Sequence, residues 1–577
     1  MRRLSRFFFL FSFRHFAMTT RSTFPPLSAL GLACLLATGA VQAQSRPPDS
    51  GQILQQQIPR TATPTPSSNT GLTIQRPAES AADSNVPFQV TKIEITGNTL
   101  VSTDLLHQQV ASSEGRTLTL TQLNVLAARI THVYHELGYP LDSAYVPAQT
   151  LSGGVVRIAV VEARYGTVSL DNQSTVSDHP LRATLSPLSA GAPVEQNSLD
   201  RSLLLLSDIP GVIVSSVLRP GAAAGTSDLA VTATPAPRYS GTVGLDNFGN
   251  TYTGRARFTG NFDINSLLHQ GDVLDLDAIT SGADMSYGRV GYKYLLNGQG
   301  TTIGASVSAL SYRLGNGLQD LHAHGTAQVQ SIYLSQPIIR SAASNLYGQI
   351  EFDHKRLNDD VDVTAIDTNR HTDSWTATLA GDHIDDHGNF NYIVSATHGD
   401  LRFDNNLAQF IDAISANTAG SYNRYNLSVS RLQTLSTNNA LYVGFTDQWA
   451  SKNLDSSEQF FLGGPNTVRG YDVGELTGAQ GNLVTIEFRH HLELSWPGAW
   501  QVSGFVDSGH VEPYKTTFVP GPNSARMNSA GLGLNWNGPN DWLVSASISV
   551  PVGNTPALLN EEYSTRFWLQ VQKGFAF

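Results

Sequence analysis

The chain has 577 residues, of which only 14% are charged, and its formal net charge at pH 7 is −11. This length exceeds that of an ordinary single domain, and 50 glycines with few charges favour many strands and turns over a helical bundle. The single cysteine, Cys34, excludes a disulfide framework and a thiolate metal site, and the acidic balance argues against binding to nucleic acid.

Residues 1–43 have the pattern of a secretory signal peptide. Arginines without any acidic residue precede an apolar run that ends in a small-residue cleavage site before Gln44. Met18 offers an alternative start with a more ordinary signal length. Cleavage removes Cys34 and five cations, so 31 cations against 47 acids leave the mature chain at −16. No later stretch has the roughly 20 apolar residues that a spanning helix needs, so the exported protein is either soluble or a β-barrel.

Residues 44–86 are rich in proline, serine and threonine. A short run within them is compatible with a helix whose apolar positions are Ile53, Leu54 and Ile58. The rest of the segment resembles a flexible linker. Two interpretations stay open, namely plain disorder and a movable plug helix on a tether.

Residues 87–162 predict a β-α-α-β-β unit. Its clearest element is the second helix, where apolar residues recur at helical spacing from Leu123 to Leu137 and Gly138 ends the helix. Residues 163–237 follow the same plan, so the two segments form an internal repeat of α/β domains.

Residues 238–577 change to a period of two, with turns rich in Gly, Asn and Asp. A strand is predicted over 253–262, and Ile486 and Phe488 alternate with Glu487 on another. A soluble sandwich would also alternate, but one apolar and one repeatedly charged face favour a membrane barrel with a wet lumen. Sixteen strands would leave about 21 residues per strand and connection, which suits membrane strands of roughly 9 to 11 residues.

A glycine-rich loop carries one cation and precedes a strand with one inward acid. The candidate site residues are Val468, Arg469, Gly470 and Tyr471 in the loop and Phe505, Asp507 and Gly509 in the strand. Glycines and a proline turn the loop tightly, and the small Gly470 allows a close approach to other backbone. Arg469 and Asp507 therefore predict a charge-assisted, bidentate contact. The loop alone would fit a hairpin of any β protein.

Together the two motifs resemble the Val-Arg-Gly-Tyr loop and the Phe-x-Asp-x-Gly strand of the Omp85 superfamily. The order of signal, short helix, two repeats, barrel and loop resembles the outer-membrane transporters of two-partner secretion, the haemolysin secretion and activation proteins. The stretches that also carry this resemblance are Gly138-Tyr139-Pro140, Asp208-Ile209-Pro210-Gly211-Val212 and Asp246-Asn247-Phe248-Gly249-Asn250.

The resemblance implies two periplasmic POTRA domains (87–162 and 163–237) and a sixteen-stranded transmembrane β-barrel (238–577). The barrel would lie in the outer membrane of a Gram-negative bacterium, with the plug helix and the loop in its lumen. Its partners would be a secreted exoprotein with an N-terminal secretion domain, outer-membrane lipid and, during biogenesis, the barrel assembly machinery. The expected function is export of that exoprotein by two-partner (type V) secretion, and whether it is also activated stays open.

Two other functions are compatible with a barrel. An insertase of the same superfamily would typically carry a different number of POTRA repeats, and a general porin would have no use for the repeats or the Arg469 loop. No Gly-x-Ser-x-Gly, His-Glu-x-x-His or phosphate-binding loop is present, so we expect no enzyme, no catalytic residue and no cofactor. His383, Asp385 and His387 could hold a metal, but we favour a hairpin end there.

Overall fold

The computed structural model describes residues 47–57, 69–75, 86–150, 153–559 and 564–577. The predicted signal peptide and Ile58 lie outside these residues. Within them, no helix combines the length and the apolar character needed to cross a membrane.

The N-terminal part contains a short helix, a short strand and two α/β units. The first two elements are α1 (Ser50–Gln57) and β1 (Leu72–Ile74). The first unit contains β2 (Phe88–Gln89), β3 (Lys92–Thr96), α2 (Thr103–Gln108), β4 (Thr117–Leu118), α3 (Leu120–Glu136), β5 (Ser143–Tyr145) and β6 (Val155–Val161). The second unit contains β7 (Arg164–Asn172), α4 (Asp178–Leu185), α5 (Gln196–Ser207), β8 (Val212–Pro220) and β9 (Thr226–Pro235).

The first unit is built around α3, which covers a sheet of order β3-β6-β5. A capping box begins the helix, because Thr119 and Gln122 each bind the other's backbone N–H. The apolar positions recognised in the sequence, such as Leu123 and Ile130, are buried against the sheet. The residues at this helical spacing therefore form part of the core of this unit.

The second unit repeats the plan with a sheet of order β1-β8-β9-β7. Its edge strand β1 comes from the segment predicted to be a linker, and it pairs in parallel with β8. Three residues are too few for a recognisable alternation, and the strand forms because Leu72 packs against the core of the unit. The linker prediction was therefore wrong for residues 72–74.

Sixteen antiparallel strands form a closed barrel in the described part of the chain. They are β10 (Tyr239–Asp246), β11 (Arg257–Asn265), β12 (Val273–Thr280), β13 (Met285–Leu295), β14 (Thr302–Arg313), β15 (Ala323–Arg340), β16 (Ser344–Val361), β17 (Ile366–Asp385), β18 (Gly388–Phe403), β19 (Gly420–Ser436), β20 (Asn439–Ala450), β23 (Gln480–Leu492), β24 (Ala499–Glu512), β25 (Ala525–Asn537), β26 (Trp542–Pro551) and β27 (Arg566–Ala576). Helix α6 (Asn406–Ala413) joins β18 to β19, and the short strands β21 (Phe460–Leu462) and β22 (Leu476–Gly478) pair within the loop after β20.

The barrel closes where β10 pairs with β27, and every other strand pairs with its neighbours in the order of the ring. The first hairpin differs from the sequence prediction, because β11 starts at Arg257 rather than at residue 253. Asn250 caps a turn by accepting from the Tyr252 N–H, and Gly254 adopts a φ of +95°, so this stretch is a loop.

Alternation along the strands separates an apolar outer face from a polar inner face. Ile486 and Phe488 are exposed on the outside, whereas Glu487 between them is buried. Trp375 and Leu379 on β17 are likewise exposed, while Arg370 on the other face is buried. This is the arrangement of a barrel with lipid outside and polar side chains inside.

Candidate functional site in the barrel lumen

The loop of residues 451–479, between β20 and β23, reaches the inner wall of β24. There the Arg469 guanidinium donates to both carboxylate oxygens of Asp507, from Nε and Nη2, each at 2.9 Å. The Arg469 backbone N–H adds a third bond to Asp507, at 3.2 Å. This is a two-pronged, charge-assisted contact between a loop and the barrel wall.

Asp507 is fully buried and has further donors on both neighbouring strands. Thr485 on β23 and Ser529 on β25 each donate a hydroxyl bond to it, at 3.1 Å. Gly470 fits closely against the wall, because a Cβ there would lie 2.8 Å from the Ser529 Cβ. The loop can reach the carboxylate only because this position has no side chain.

Two further side chains complete the arginine site. Glu487 accepts a bond from Arg469 Nη1 at 2.7 Å, and Arg489 in turn binds Glu487 at 2.9 Å. The Phe505 ring lies 3.2 Å from the Arg469 guanidinium carbon, which is a cation–π contact. The sequence pattern places Phe505 and Asp507 on one strand but does not connect Glu487 to the arginine.

The other predicted residues of the loop and the strand pack around this contact. Val468 and Tyr471 are buried in an apolar cluster with Leu462 from β21. Gly509 lies beneath Leu462, where a Cβ would come within 2.7 Å of its methyl groups. The Arg469 carbonyl accepts from the Trp568 indole N–H at 2.8 Å, so β27 also holds the loop.

Helix α1 lies inside the barrel. Ile53 and Leu54 are buried in one cluster with Leu310 and Tyr312 of β14. Val307 on the same strand is exposed on the outer face, so Leu310, three positions further on, points inward. The predicted helix positions 53 and 54 therefore contact the inner wall.

The N-terminal end of α1 is held by a buried arginine that the sequence did not reveal. Arg370 on β17 contacts Asp49 at 3.2 Å, Asp359 on β16 at 2.6 Å and Asp455 of the 451–479 loop at 2.6 Å. Ser50 donates its backbone N–H and its hydroxyl to Asp359, at 2.7 and 2.9 Å. We name this group of Arg370 and three aspartates the Arg370 cluster.

A second buried ion pair fixes the same loop. Glu458 accepts from Lys355 at 2.7 Å and contacts Arg424 at 2.8 Å, and both cations point inward from the wall. Asp455 caps the short turn against which α1 packs, and Glu458 ends it. The residues that hold the loop to the wall therefore lie next to α1.

The stretch Asp208-Ile209-Pro210-Gly211-Val212 seats the second α/β unit on the barrel. Asp208 at the end of α5 accepts two bonds from the buried Arg340 on β15, at 2.7 and 2.8 Å. Arg201 on the same helix donates to the Pro337 carbonyl at 2.9 Å. A two-pronged ion pair therefore sets the orientation of this unit.

Two of the three candidate metal ligands on β17 and its turn have protein partners. His383 binds Ser344, and Asp385 pairs with Arg431 at 2.8 Å beside the hairpin of β17 and β18. No group of three or more possible metal ligands occurs among the described residues.

Comparison with known families decides the identity of the chain. The family model described as haemolysin secretion/activation protein ShlB/FhaC/HecB matches residues 225–536, which is more than half of the chain. The chain belongs to this family. A second family model, for the ShlB-type POTRA domain, matches residues 88–163, which is the first α/β unit.

Several known proteins of this kind are similar over most of the chain. The heme/hemopexin transporter protein HuxB of Haemophilus influenzae is 28% identical over 560 residues, covering 95% of this chain and 98% of HuxB. The outer membrane transporter CdiB of Dickeya dadantii is 22% identical over 466 residues, covering 74% and 77%. The structure of CdiB from Escherichia coli aligns with a TM-score of 0.70 and 19% identity, over 96% of this chain and all of that one.

The chain is thus an outer-membrane β-barrel transporter of two-partner secretion, with POTRA domains in the periplasm. Proteins of this family are transporters and work with a secreted partner exoprotein. The sequence-based predictions of family, fold class, function and location are confirmed.

Proposed function

We propose that the partner exoprotein crosses through the barrel lumen after α1 has left it, while the Arg469 contact keeps the 451–479 loop against the wall. The observation that carries this proposal is the position of α1 inside the barrel, where its two apolar side chains are buried. A polypeptide cannot cross lipid with unsatisfied backbone groups, so it needs a closed, wet path. While α1 occupies that path, it acts as a plug.

The contacts of α1 support a plug that can leave. In the part of this segment that the structure describes, Ile53 and Leu54 make the buried apolar contacts with the wall. The polar contacts of Asp49 and Ser50 at its start are joined by single bonds from Gln52 to Thr477 and from Arg257 to Gln57. When α1 leaves, Arg370 still has Asp359 and Asp455 as partners. The barrel wall is therefore not left with an unpaired buried charge, whose cost is about 3–5 kcal/mol.

Conductance measurements test the plug. Removing residues 44–60 should raise ion conductance in planar bilayers and leave secretion at least partly intact. The double variant Ile53→Asn and Leu54→Asn should act in the same direction without shortening the tether. A matched control places asparagine at the exposed Leu105 and Val125 of the first POTRA domain, where conductance should not change. Unchanged conductance in the deletion would contradict the plug, and a wide pore in the unaltered chain would favour a porin.

We further propose that the POTRA pair recruits the partner in an extended form. The sheet of the second domain already accepts β1 as an added strand on β8. At its other edge, β7 borders a groove of about 430 Å3 whose lining includes Val168, Leu185 and Leu188. An extended segment gains main-chain hydrogen bonds at such an edge, and the groove selects its side chains.

Deletion of residues 87–162 tests recruitment. The deletion should abolish secretion while the barrel still reaches the outer membrane in its folded, heat-modifiable form. Normal secretion from this variant would refute recruitment by the first domain. Loss of the folded barrel would instead assign these residues a role in biogenesis.

We also propose that the exported partner binds heme or hemopexin. HuxB, which is described as a heme/hemopexin transporter, covers nearly the full length of this chain and is more similar to it than the CdiB proteins compared above. The partner, collected from culture medium, should bind to immobilised hemin or hemopexin only when this transporter is present. Export of a partner that binds neither would refute the cargo class and leave the export function intact.

A further inference from the structure

Helix α6 presents an apolar face away from the protein. Leu407, Phe410, Ile411 and Ile414 are 58, 61, 39 and 67% exposed. These positions recur at the spacing of one helix face. The opposite face, with Ala408 and Asp412, is the buried one. The usual arrangement of a surface helix, with its apolar side inward, is therefore reversed.

The helix is firmly held, so this face is presented in a fixed orientation. Asn405 caps the N-terminus by accepting from the Ala408 N–H at 2.7 Å. Asp412 accepts bonds from the Thr418 N–H at 2.8 Å and the Ala419 N–H at 2.9 Å, which closes the following turn.

The segment that follows α6 contacts the root of the loop that enters the lumen. Asn453 donates to the Ala416 carbonyl at 2.7 Å, and Lys452 donates to the Ala419 carbonyl. Both residues belong to the 451–479 loop, which carries Arg469 and also Ser456, whose hydroxyl donates to Asp49 just before α1. The helix that bears the apolar face is therefore connected to the loop in the lumen through the segment that follows it.

The position of α6 excludes lipid chains as its cover. The helix follows β18 at the end of the barrel opposite the POTRA domains, which is the extracellular end. On β17, the outward positions from Asp373 to Asp367 are all polar, and Trp375 is the first exposed apolar residue beneath them. Eight residues span about 26 Å along a strand, or roughly 20 Å of height at the usual tilt.

The apolar, uncharged surface of this face favours a protein over lipopolysaccharide as its binding partner. It carries no charge, and the one charged residue of α6, Asp412, is buried, so phosphate groups of lipopolysaccharide find no partner on it. We propose that this face, formed by Leu407, Phe410, Ile411 and Ile414, binds an apolar segment of the partner exoprotein as it leaves the pore. The inference rests on the proposed export through the lumen, since that exoprotein is the polypeptide that passes this rim.

A crosslinking experiment identifies the occupant. A photoreactive benzoylphenylalanine replaces Phe410 in the full-length transporter, expressed in cells that export the exoprotein of its own genetic locus. Irradiation during export should join the transporter to the exoprotein, and the product should disappear when the exoprotein is absent. A product with a second copy of the transporter, with lipopolysaccharide or within the same chain would overturn the proposal.

A variant tests the consequence for export. Leu407, Phe410, Ile411 and Ile414 are all changed to glutamine, which preserves helix propensity. The initial rate of exoprotein appearance in the medium should fall about tenfold, which corresponds to about 1.4 kcal/mol of lost binding. The matched control changes Val363 and Val519, which are exposed on other extracellular loops, to glutamine as well. This control should export normally.

The outcomes separate this proposal from the proposed function. Normal export by the glutamine variant, without a crosslink from position 410, would overturn the docking face and leave export through the lumen standing. Failure of the unaltered transporter to export any exoprotein would overturn both.

Discussion

The Arg469 contact makes a quantitative prediction about three substitutions. Arg469→Ala removes two side-chain hydrogen bonds to Asp507 and one to Glu487, while the backbone N–H of residue 469 still donates to Asp507. Asp507 then stays fully buried without a cation beside it, and its donors are the residue 469 N–H and the hydroxyls of Thr485 and Ser529. Stranding a buried charge in this way costs about 3–5 kcal/mol. Asp507→Ala should cost less, about 2 kcal/mol, because Arg469 keeps Glu487 and the Phe505 ring.

The conservative change and the double variant sharpen the test. Arg469→Lys keeps the charge but cannot bind both oxygens of Asp507 in one plane, so we expect a partial defect. In the double variant with Arg469→Ala and Asp507→Ala, the interaction is lost once and no carboxylate is stranded at position 507. Its defect should therefore be no greater than that of Arg469→Ala alone.

The assay compares the temperature at which each folded barrel loses its fast mobility on gels with the rate of partner secretion. A matched control is Arg431→Ala, which breaks an exposed pair with Asp385 on the outer wall and should change neither measurement appreciably. Strictly additive losses in the double variant would show that Arg469 and Asp507 act independently. An Arg469→Ala barrel with normal mobility and normal secretion would remove the contact from the mechanism.

Two further predictions concern the plug and the POTRA domains. Asp49→Ala should raise the frequency of pore opening in bilayer recordings about fivefold, since a partly exposed ion pair is worth about 1 kcal/mol, and an unchanged frequency would contradict a latch at Asp49. Burial raises the pKa of Asp142 to about 7, above its unfolded value of 3.8, so stability from this group is present at acid pH and falls between about pH 4 and 7. Asp142→Asn should remove that fall in thermal unfolding of a soluble POTRA fragment, and an unaltered pH profile would refute it.

The sequence predicted the features that depend on local periodicity. Helical spacing located α3, alternation located the outer and inner faces of β24, and the order of motifs indicated the family. These signals are local, because a period of two assigns each residue to a face without reference to the rest of the barrel. The inward orientation of Asp507 follows from that rule alone.

What the sequence could not provide is the identity of partners across the lumen. Glu487 was recognised as inward-facing, but its position beside Arg469 depends on the stagger of β23 against β24 and on the path of the loop. Arg370 meets Asp49, which is 321 residues away in the chain. Neither alternation nor composition specifies such pairs. The strand β1 was missed for another reason, because three residues form it only when the edge of β8 is available.

The anchors of the 451–479 loop are separate from α1, so the proposed departure of α1 leaves the loop in place. Glu458 holds one side of the loop through Lys355 and Arg424, and Arg469 holds the other side through Asp507. Neither anchor includes a residue of α1. The Arg370 cluster joins α1 to the loop, but it has three acids for one cation, so loss of Asp49 reduces the excess of negative charge there. Departure of α1 therefore costs its own contacts while both anchors of the loop stay paired.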